Sequence, residues 1–230
     1  MHWFYDPALG PESKTLQAEA QHLKSLRIEI GEQLSITNGH GLVAICELLD
    51  KSGWHYKLLE LKNLVPQQIR FHLVQALAKN DRDELGMQTA VELGAASITP
   101  WQAERSIVRW DSKEQKNRNR WQQIAIEAMK QSQQGYLAEV KPLSKTSALK
   151  PIGIGLVLDP RSAKSISEIP VSDQYTIVVG PEGGISKSEL EKLVDAGFEL
   201  VKLGDSVLRA STAGPAAIAA LQALHGSFRS

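Results

Sequence analysis

The sequence predicts an α/β protein in two parts: a short β-rich segment, then a longer segment built around a mainly parallel sheet. Two observations carry this. From residue 70 onward, short apolar runs alternate with segments of helical periodicity, beginning "FHLVQAL", "ELGMQTAVELG", "ASITPW" and "NRWQQIAIEAMKQSQ". The alternation continues through "IGIGLVLDP", "YTIVVG", "KSELEKLVDAG", "ELVKLG" and "PAAIAALQALHG". Strand alternating with helix implies a parallel sheet covered on both faces. Before residue 70 that rhythm is missing. "SKTLQAEAQHLKSL" reads as a helix, with Leu16, Ala20, Leu23 and Leu26 near helical spacing. "EQLSITNGHGLVAICELLD" reads as strand, tight turn at Asn38-Gly39, strand, and "HYKLLEL" as a further strand. The change of texture after "NLVPQQ" predicts domains at 1–68 and 69–230.

The chain has 230 residues, enough for one large or two small cores. Lys+Arg and Asp+Glu are both 26, so net charge alone argues for no polyanionic partner; a local patch would have to do so. The first 66 residues hold six basic and eight acidic side chains. One cysteine, Cys46, excludes an intramolecular disulfide and a multi-cysteine zinc site, and fits a reducing cytoplasm. "MHWFYDPALG" lacks a basic region followed by an apolar one, so no signal peptide is expected. No apolar run approaches the roughly 18 residues of a membrane helix. Six scattered histidines form no H-x-x-x-H or H-E-x-x-H pattern, so no metal site is expected.

The chemistry concentrates in three stretches. In "VVGPEGGISKSELEKL", Gly180, Pro181, Glu182, Gly183 and Gly184 lie between the β-branched run "TIVV" and a helix. Ser186 and Glu189 make a Ser-x-x-Glu capping box, so the helix starts at Ser186, and Gly197 is a plausible stop. Both flanks are structured, so this is a strand-to-helix loop and not a linker. Neither G-x-x-x-x-G-K-[ST] nor G-x-G-x-x-G is present, and a lone Glu182 would repel phosphate. The loop suits a ligand read by backbone amides and carbonyls, such as an adenosyl group; a tight turn needing positive φ is the plainer alternative. "VKLGDSVLRASTAGPAAIAAL" repeats the logic, with Gly204, a polar loop carrying Arg209, candidate caps Ser211 and Thr212, and Pro215 in a first turn. "ERSIVRWDSKEQKNRNRWQQ" places six basic and two acidic residues between Arg105 and Arg120, interleaved with Trp110 and Trp121. That composition suits phosphate and base contacts, although core tryptophans beside a solvated helix start explain it better when taken alone.

Together these stretches resemble the RsmE-type small-subunit ribosomal RNA (uracil-N(3)) methyltransferases of the SPOUT, or α/β-knot, class. "VVGPEGGISKSEL" and "LGDSVLRASTA" look like the family's two signature loops, "LVQALAKNDR" and "AVELGAASITPWQAERS" like its central motifs, and "HLKSLRIEIGEQLSITNGHG" like its amino-terminal RNA-binding segment. The resemblance implies a PUA-like β-barrel over 1–68 and a trefoil-knotted domain over 69–230. It implies S-adenosylmethionine as cofactor, a homodimer with the RNA site completed across the interface, and 16S ribosomal RNA of the small subunit as substrate. The cofactor would be held by Leu158, Asp159 and Pro160, by Gly180 to Gly184, and by Leu203, Gly204, Ser206, Val207, Leu208, Ser211, Thr212 and Ala213. RNA contacts would come from His22, Arg27, Arg105, Arg109, Arg118, Arg120 and Gln131. The uracil imide is a weak acid, so its N(3) needs help to become a nucleophile. Arg209, with Arg105 from a partner subunit, would steady the developing anion, and Glu182 is the nearest carboxylate for a base. Two positions depart from the family: Ser211 stands where a glutamate is common, and Thr89 where a lysine is common before Glu92-Leu93-Gly94. Alternatives are a knot-class methyltransferase acting on a ribose hydroxyl or on transfer RNA, or a ribosome-assembly RNA-binding protein without catalysis.

Overall fold

The computed structural model describes residues 1–226. The chain divides into two compact units: Met1–Pro66 with Met129–Leu137, and Gln67–Ala128 with the chain from Ala138 onward. A single cut at residue 68 thus misses the return of Met129–Leu137 to the first unit. Long-range hydrogen bonds explain the return. The Gly135 carbonyl accepts from the Gly41 N–H at 2.9 Å and the Thr37 hydroxyl at 3.1 Å. The Leu137 N–H donates to the Gly39 carbonyl at 2.9 Å, and the Tyr136 hydroxyl to the Leu64 carbonyl at 2.8 Å.

The first unit carries a four-stranded sheet in the order β1 (His2–Tyr5), β2 (Gln33–Thr37), β3 (Leu42–Leu48), β4 (Tyr56–Asn63). β1 runs parallel to β2, and the other pairs are antiparallel. The turn between β2 and β3 is wider than the Asn-Gly signal suggests. It covers residues 38–41, with Gly39 and Gly41 at φ 75° and 94°. Asn38 Oδ1 holds it by accepting from the His40 and Leu42 N–H groups at 2.8 and 3.1 Å. The predicted helix is shorter than its periodicity implied. A 3₁₀ turn, Gln17–Glu19, leads into α1 (Ala20–Ser25), because Thr15 is already bridged to His55. Leu16 and Leu23 join Phe4, Ile36 and Cys46 in the core, whereas Leu26 is exposed. Burial pushes the Cys46 thiol up to about 12, so it packs as a small apolar group.

The second unit is a six-stranded, all-parallel sheet. Its strands are β5 (Arg70–Ala76), β6 (Ala95–Trp101), β7 (Glu139–Val140), β8 (Ile154–Leu158), β9 (Gln174–Val179) and β10 (Phe198–Val201), in the order β10-β8-β9-β5-β6-β7. The central β9 and β5 are buried along nearly their whole length, which is why they read as unbroken apolar runs. The helices are α2 (Arg82–Glu92), α3 (Glu114–Gln131), α4 (Lys187–Asp195) and α5 (Ala210–His225). α2 and α5 pack closely where Gly86 meets the α5 backbone: a Cβ on Gly86 would sit 3.2 Å from both the Ala210 carbonyl oxygen and Ser211 Cα. Trp110 and Trp121 are buried as an edge-to-face pair 5.1 Å apart, so the interleaved tryptophans belong to the core.

The start of α5 departs from expectation. Its N-cap is Arg209, in extended conformation, and the Arg209 carbonyl accepts from the Thr212 and Ala213 N–H groups at 2.9 Å each. Ser211 and Thr212 are therefore first-turn residues, not caps. Pro215 falls beyond the first turn, where it has no N–H to offer the Ser211 carbonyl.

Candidate active site

The glycine-rich loop follows β9 and ends in α4. The capping box forms as the sequence predicts: Ser186 Oγ accepts from the Glu189 N–H at 3.2 Å, and Glu189 Oε2 from the Ser186 N–H at 3.3 Å. Glu189, though buried, does more than cap. Its Oε1 accepts from the Glu104 N–H at 2.9 Å and the Thr146 hydroxyl at 2.7 Å, which ties the loop to the segments after β6 and before β8. Two glycines of the loop have distinct reasons. Gly184 lies at φ +70°, and a Cβ on Gly180 would approach Ile185 Cγ1 to 2.7 Å.

Three loops converge on one cleft of about 460 Å³. Leu158 to Arg161 supply one wall, Val179 to Ile185 a second, and Val207 to Ala210 with Ala213 a third; Arg82 and Arg105 complete the lining. An annex of about 60 Å³ adds Leu203, Gly204 and Ser206. Every residue assigned above to cofactor binding lines the cleft or the annex except Ser211 and Thr212.

Four arginines line the cleft, in different states. Arg161 grips the buried Asp159 with two bonds, Nε to Oδ1 at 2.9 Å and Nη2 to Oδ2 at 2.8 Å, and this pairing lowers the Asp159 pKa. Arg82 lies 3.8 Å from Glu182 Oε1, which also accepts from the Lys79 N–H at 3.0 Å. Arg105 Nη1 donates to the Gly183 carbonyl of its own chain at 3.1 Å, so it is placed at the cleft without a partner subunit. Arg209 is exposed and makes no side-chain bond to any described residue. Sequence reasoning missed Arg161 and Arg82. Arg161 directly follows Pro160 and was within reach; Arg82 arrives from α2 with no local signal.

Each arginine of the basic stretch bonds within the chain, and among the described residues only Arg120 does so to a carboxylate. Arg120 holds Glu84 through Nε and Nη2 at 2.6 and 2.7 Å. Arg118 Nε donates to the Val140 carbonyl at 2.9 Å, and Arg109 Nη2 to the Glu104 carbonyl at 3.1 Å. In the first unit, His22 Nδ1 lies 3.0 Å from Glu19 Oε2 and 3.2 Å from Lys130 Nζ, while Arg27 and Gln131 are exposed. Among the described residues no group of three or more His, Cys, Asp or Glu could hold a metal ion, and no helix is long and apolar enough to cross a membrane.

Residues 65–222 match the family model of an RNA methyltransferase domain. The chain is 35% identical over 211 residues to the Ribosomal RNA small subunit methyltransferase E of Mycobacterium bovis, across 86% of this chain and 80% of that protein. It is 30% identical over 221 residues to the protein of the same name from Bacillus subtilis, across 88% and 86% of the two. The crystal structure of a Ribosomal RNA small subunit methyltransferase E from Neisseria gonorrhoeae, bound to S-adenosyl methionine, matches with a TM-score of 0.90 at 30% identity, over 99% of each chain.

Proposed function

The chain belongs to the ribosomal RNA small subunit methyltransferase E family, and on that premise we propose that it methylates N(3) of a uridine in 16S ribosomal RNA, using S-adenosylmethionine and giving 3-methyluridine. The observation that carries this reading is the convergence of three loops, after β8, after β9 and before α5, on a single cleft. Ligands of open parallel sheets sit outside the carboxyl ends of strands, and the cleft lies there. Its volume of about 460 Å³ suits an adenosyl-sized group. Leu158, Val179, Ile185 and Leu208 offer apolar contact, and Gly184 leaves its backbone uncovered by side chains. The cofactor supplies a methyl group already activated on a sulfonium.

The protein's own part is to bind, orient and manage charge. Arg209 faces the cleft with its guanidinium uncommitted, so it can hold the negative charge that spreads onto the uracil oxygens as N(3) loses its proton. Arg105, braced on Gly183, adds a second cation on the same chain. Glu182 holds its loop through the Lys79 N–H.

The finer architecture belongs to the same proposal. The second unit would be a trefoil knot; the parallel bridge of Ser165 to Lys202, beside loops that share the annex, supports it. The first unit would be a PUA-like barrel, supported by its four-stranded sheet and the closing bonds to Gly135. A cytoplasmic homodimer completes the reading; Val207, 79% exposed beside the cleft, gives a second copy an apolar contact.

The test is the product nucleoside. The protein is incubated with labelled S-adenosylmethionine and unmodified small subunits, and the digested RNA is resolved by mass spectrometry. Label in 3-methyluridine is expected. Label in a ribose-methylated nucleoside would discard the target, and no label with no cofactor binding would favour an RNA-binding protein without catalysis.

A further inference from the structure

Neighbouring residues on the loop after β6 face different concavities. Arg105 lines the cleft described above, whereas Glu104 lines an open groove of about 320 Å³, so one peptide separates the two sites. The groove's lining contains no apolar side chain. Three cations reach it from three segments: Arg109 from the loop after β6, Lys145 from the turn before residues 146–148, and Lys192 from α4. None is neutralised by a described residue. Arg109 donates only to the Glu104 backbone carbonyl, and Lys145 and Lys192 have no ion pair.

Of the two carboxylates in the wall, Glu189 is buried and Glu104 is exposed, and both bond to neutral donors. Glu104 Oε2 accepts from the Ser186 hydroxyl at 2.5 Å, and Glu189 accepts from Thr146, Glu104 and Ser186 as given above. Three cations against these two carboxylates leave the groove an excess of one positive charge, beside the exposed Ser147 and Ser188. Ammonium and guanidinium charges beside hydroxyl donors suit the oxygens of a phosphodiester.

We propose that this groove seats a backbone phosphate of the RNA next to the nucleotide that enters the cleft, fixing the register of the strand across the Glu104–Arg105 wall. The proposal rests on the reading of the chain as an RNA methyltransferase. Such a contact positions the substrate without reading its sequence.

The test uses the double variant Lys145→Ala/Lys192→Ala, whose two side chains lie outside the cofactor cleft. Binding of unmodified 16S RNA is measured against KCl concentration for both proteins, alongside calorimetric titration with S-adenosylmethionine. For one lost phosphate contact, the slope of log K against log salt becomes shallower by about 0.7–0.9, and affinity near physiological salt falls roughly three- to tenfold. Cofactor affinity stays at the wild-type value. An unchanged RNA affinity and slope in the variant overturns the groove assignment while leaving the methyltransferase reading intact. No salt-dependent RNA binding by the wild-type protein overturns both, and is read from a separate curve. If the variant loses affinity for a polyglutamate peptide but not for RNA, the groove is a protein contact and the phosphate assignment fails.

Discussion

Replacing Glu189 by alanine tests whether the glycine-rich loop is held from behind. The side chain is 4% exposed and accepts from the Ser186 N–H, the Glu104 N–H and the Thr146 hydroxyl. Losing its half of the capping box costs about 1 kcal/mol. Leaving the Glu104 amide without its acceptor costs about 1–3 kcal/mol more; the half-buried Thr146 hydroxyl can turn to water and adds little. The expected loss is about 2–4 kcal/mol. Glu189→Gln keeps an acceptor for Glu104 and Thr146 but sets an amide NH₂ against the Ser186 N–H, so it should lose about half as much. Urea unfolding followed by tryptophan fluorescence is a suitable assay, because Trp101 Nε1 donates to Thr146 Oγ1 at 3.2 Å within the same network. The released loop should also bind S-adenosylmethionine more weakly, which calorimetry reads independently. If Glu189→Ala unfolds within 1 kcal/mol of wild type and binds the cofactor normally, the bracing argument is wrong.

Three further outcomes follow from particular contacts. Arg209→Ala should lower turnover far more than cofactor affinity, since its guanidinium is free of other duties; an equal loss in both would remove its assigned role. Charge reversal at Arg118 and Arg120 suits an RNA patch less well than the composition implied. Because Arg120 is paired with Glu84, Arg120→Ala should release that carboxylate and leave the salt slope of RNA binding unchanged, and a shallower slope would restore the patch. The third concerns pH. Burial, the largest cause, lowers the His72 pKa from its ordinary 6.5, with the ring held by Ser97 at 2.8 Å and Gln174 at 3.2 Å. The unfolded chain then binds more protons just below pH 6.5, so stability is full above that value and falls as pH drops through it, by up to about 1.4 kcal/mol per pH unit. Denaturant titrations of wild type and His72→Asn between pH 7.5 and roughly 5 would show it, and identical slopes would exclude His72 as the source.

What could be read from the sequence was whatever local physics decides. "TIVV" and "FHLVQAL" are buried on both sides, so their apolar runs survive as β9 and β5. The capping box at Ser186 is a contact between near neighbours and formed as read. What could not be read depends on partners far along the chain. Residues 129–137 look like the end of one helix and a turn, and only their bonds to Thr37, Gly39, Gly41 and Leu64 assign them to the first unit. Ser211 and Thr212 are better capping residues than Arg209 by type, yet the backbone turns at Arg209, where no side-chain preference marks it. In the same way, the basic composition of residues 105–120 says nothing of Glu84 or of the Val140 and Gly183 carbonyls that occupy three of its arginines.

The charges of the cleft bear on how a uracil could be activated there. Its lining includes two carboxylates, and each is tied to a neighbour. Asp159 is held by Arg161 at both oxygens, and Glu182 accepts from the Lys79 N–H with Arg82 close by. Taking up a proton at Asp159 would weaken the ion pair that keeps its pKa low. Ser211, standing where the family commonly has a glutamate, lies outside the lining. Four arginines do line the cleft, and Arg209 among them has no internal partner. A cation fixed where the uracil oxygens gain charge lowers the cost of ionising N(3) without itself accepting the proton, so the proton can leave to water. The unpartnered Arg209 thus supports the proposed activation by stabilising the anion, a route with which the substitution at Ser211 is compatible.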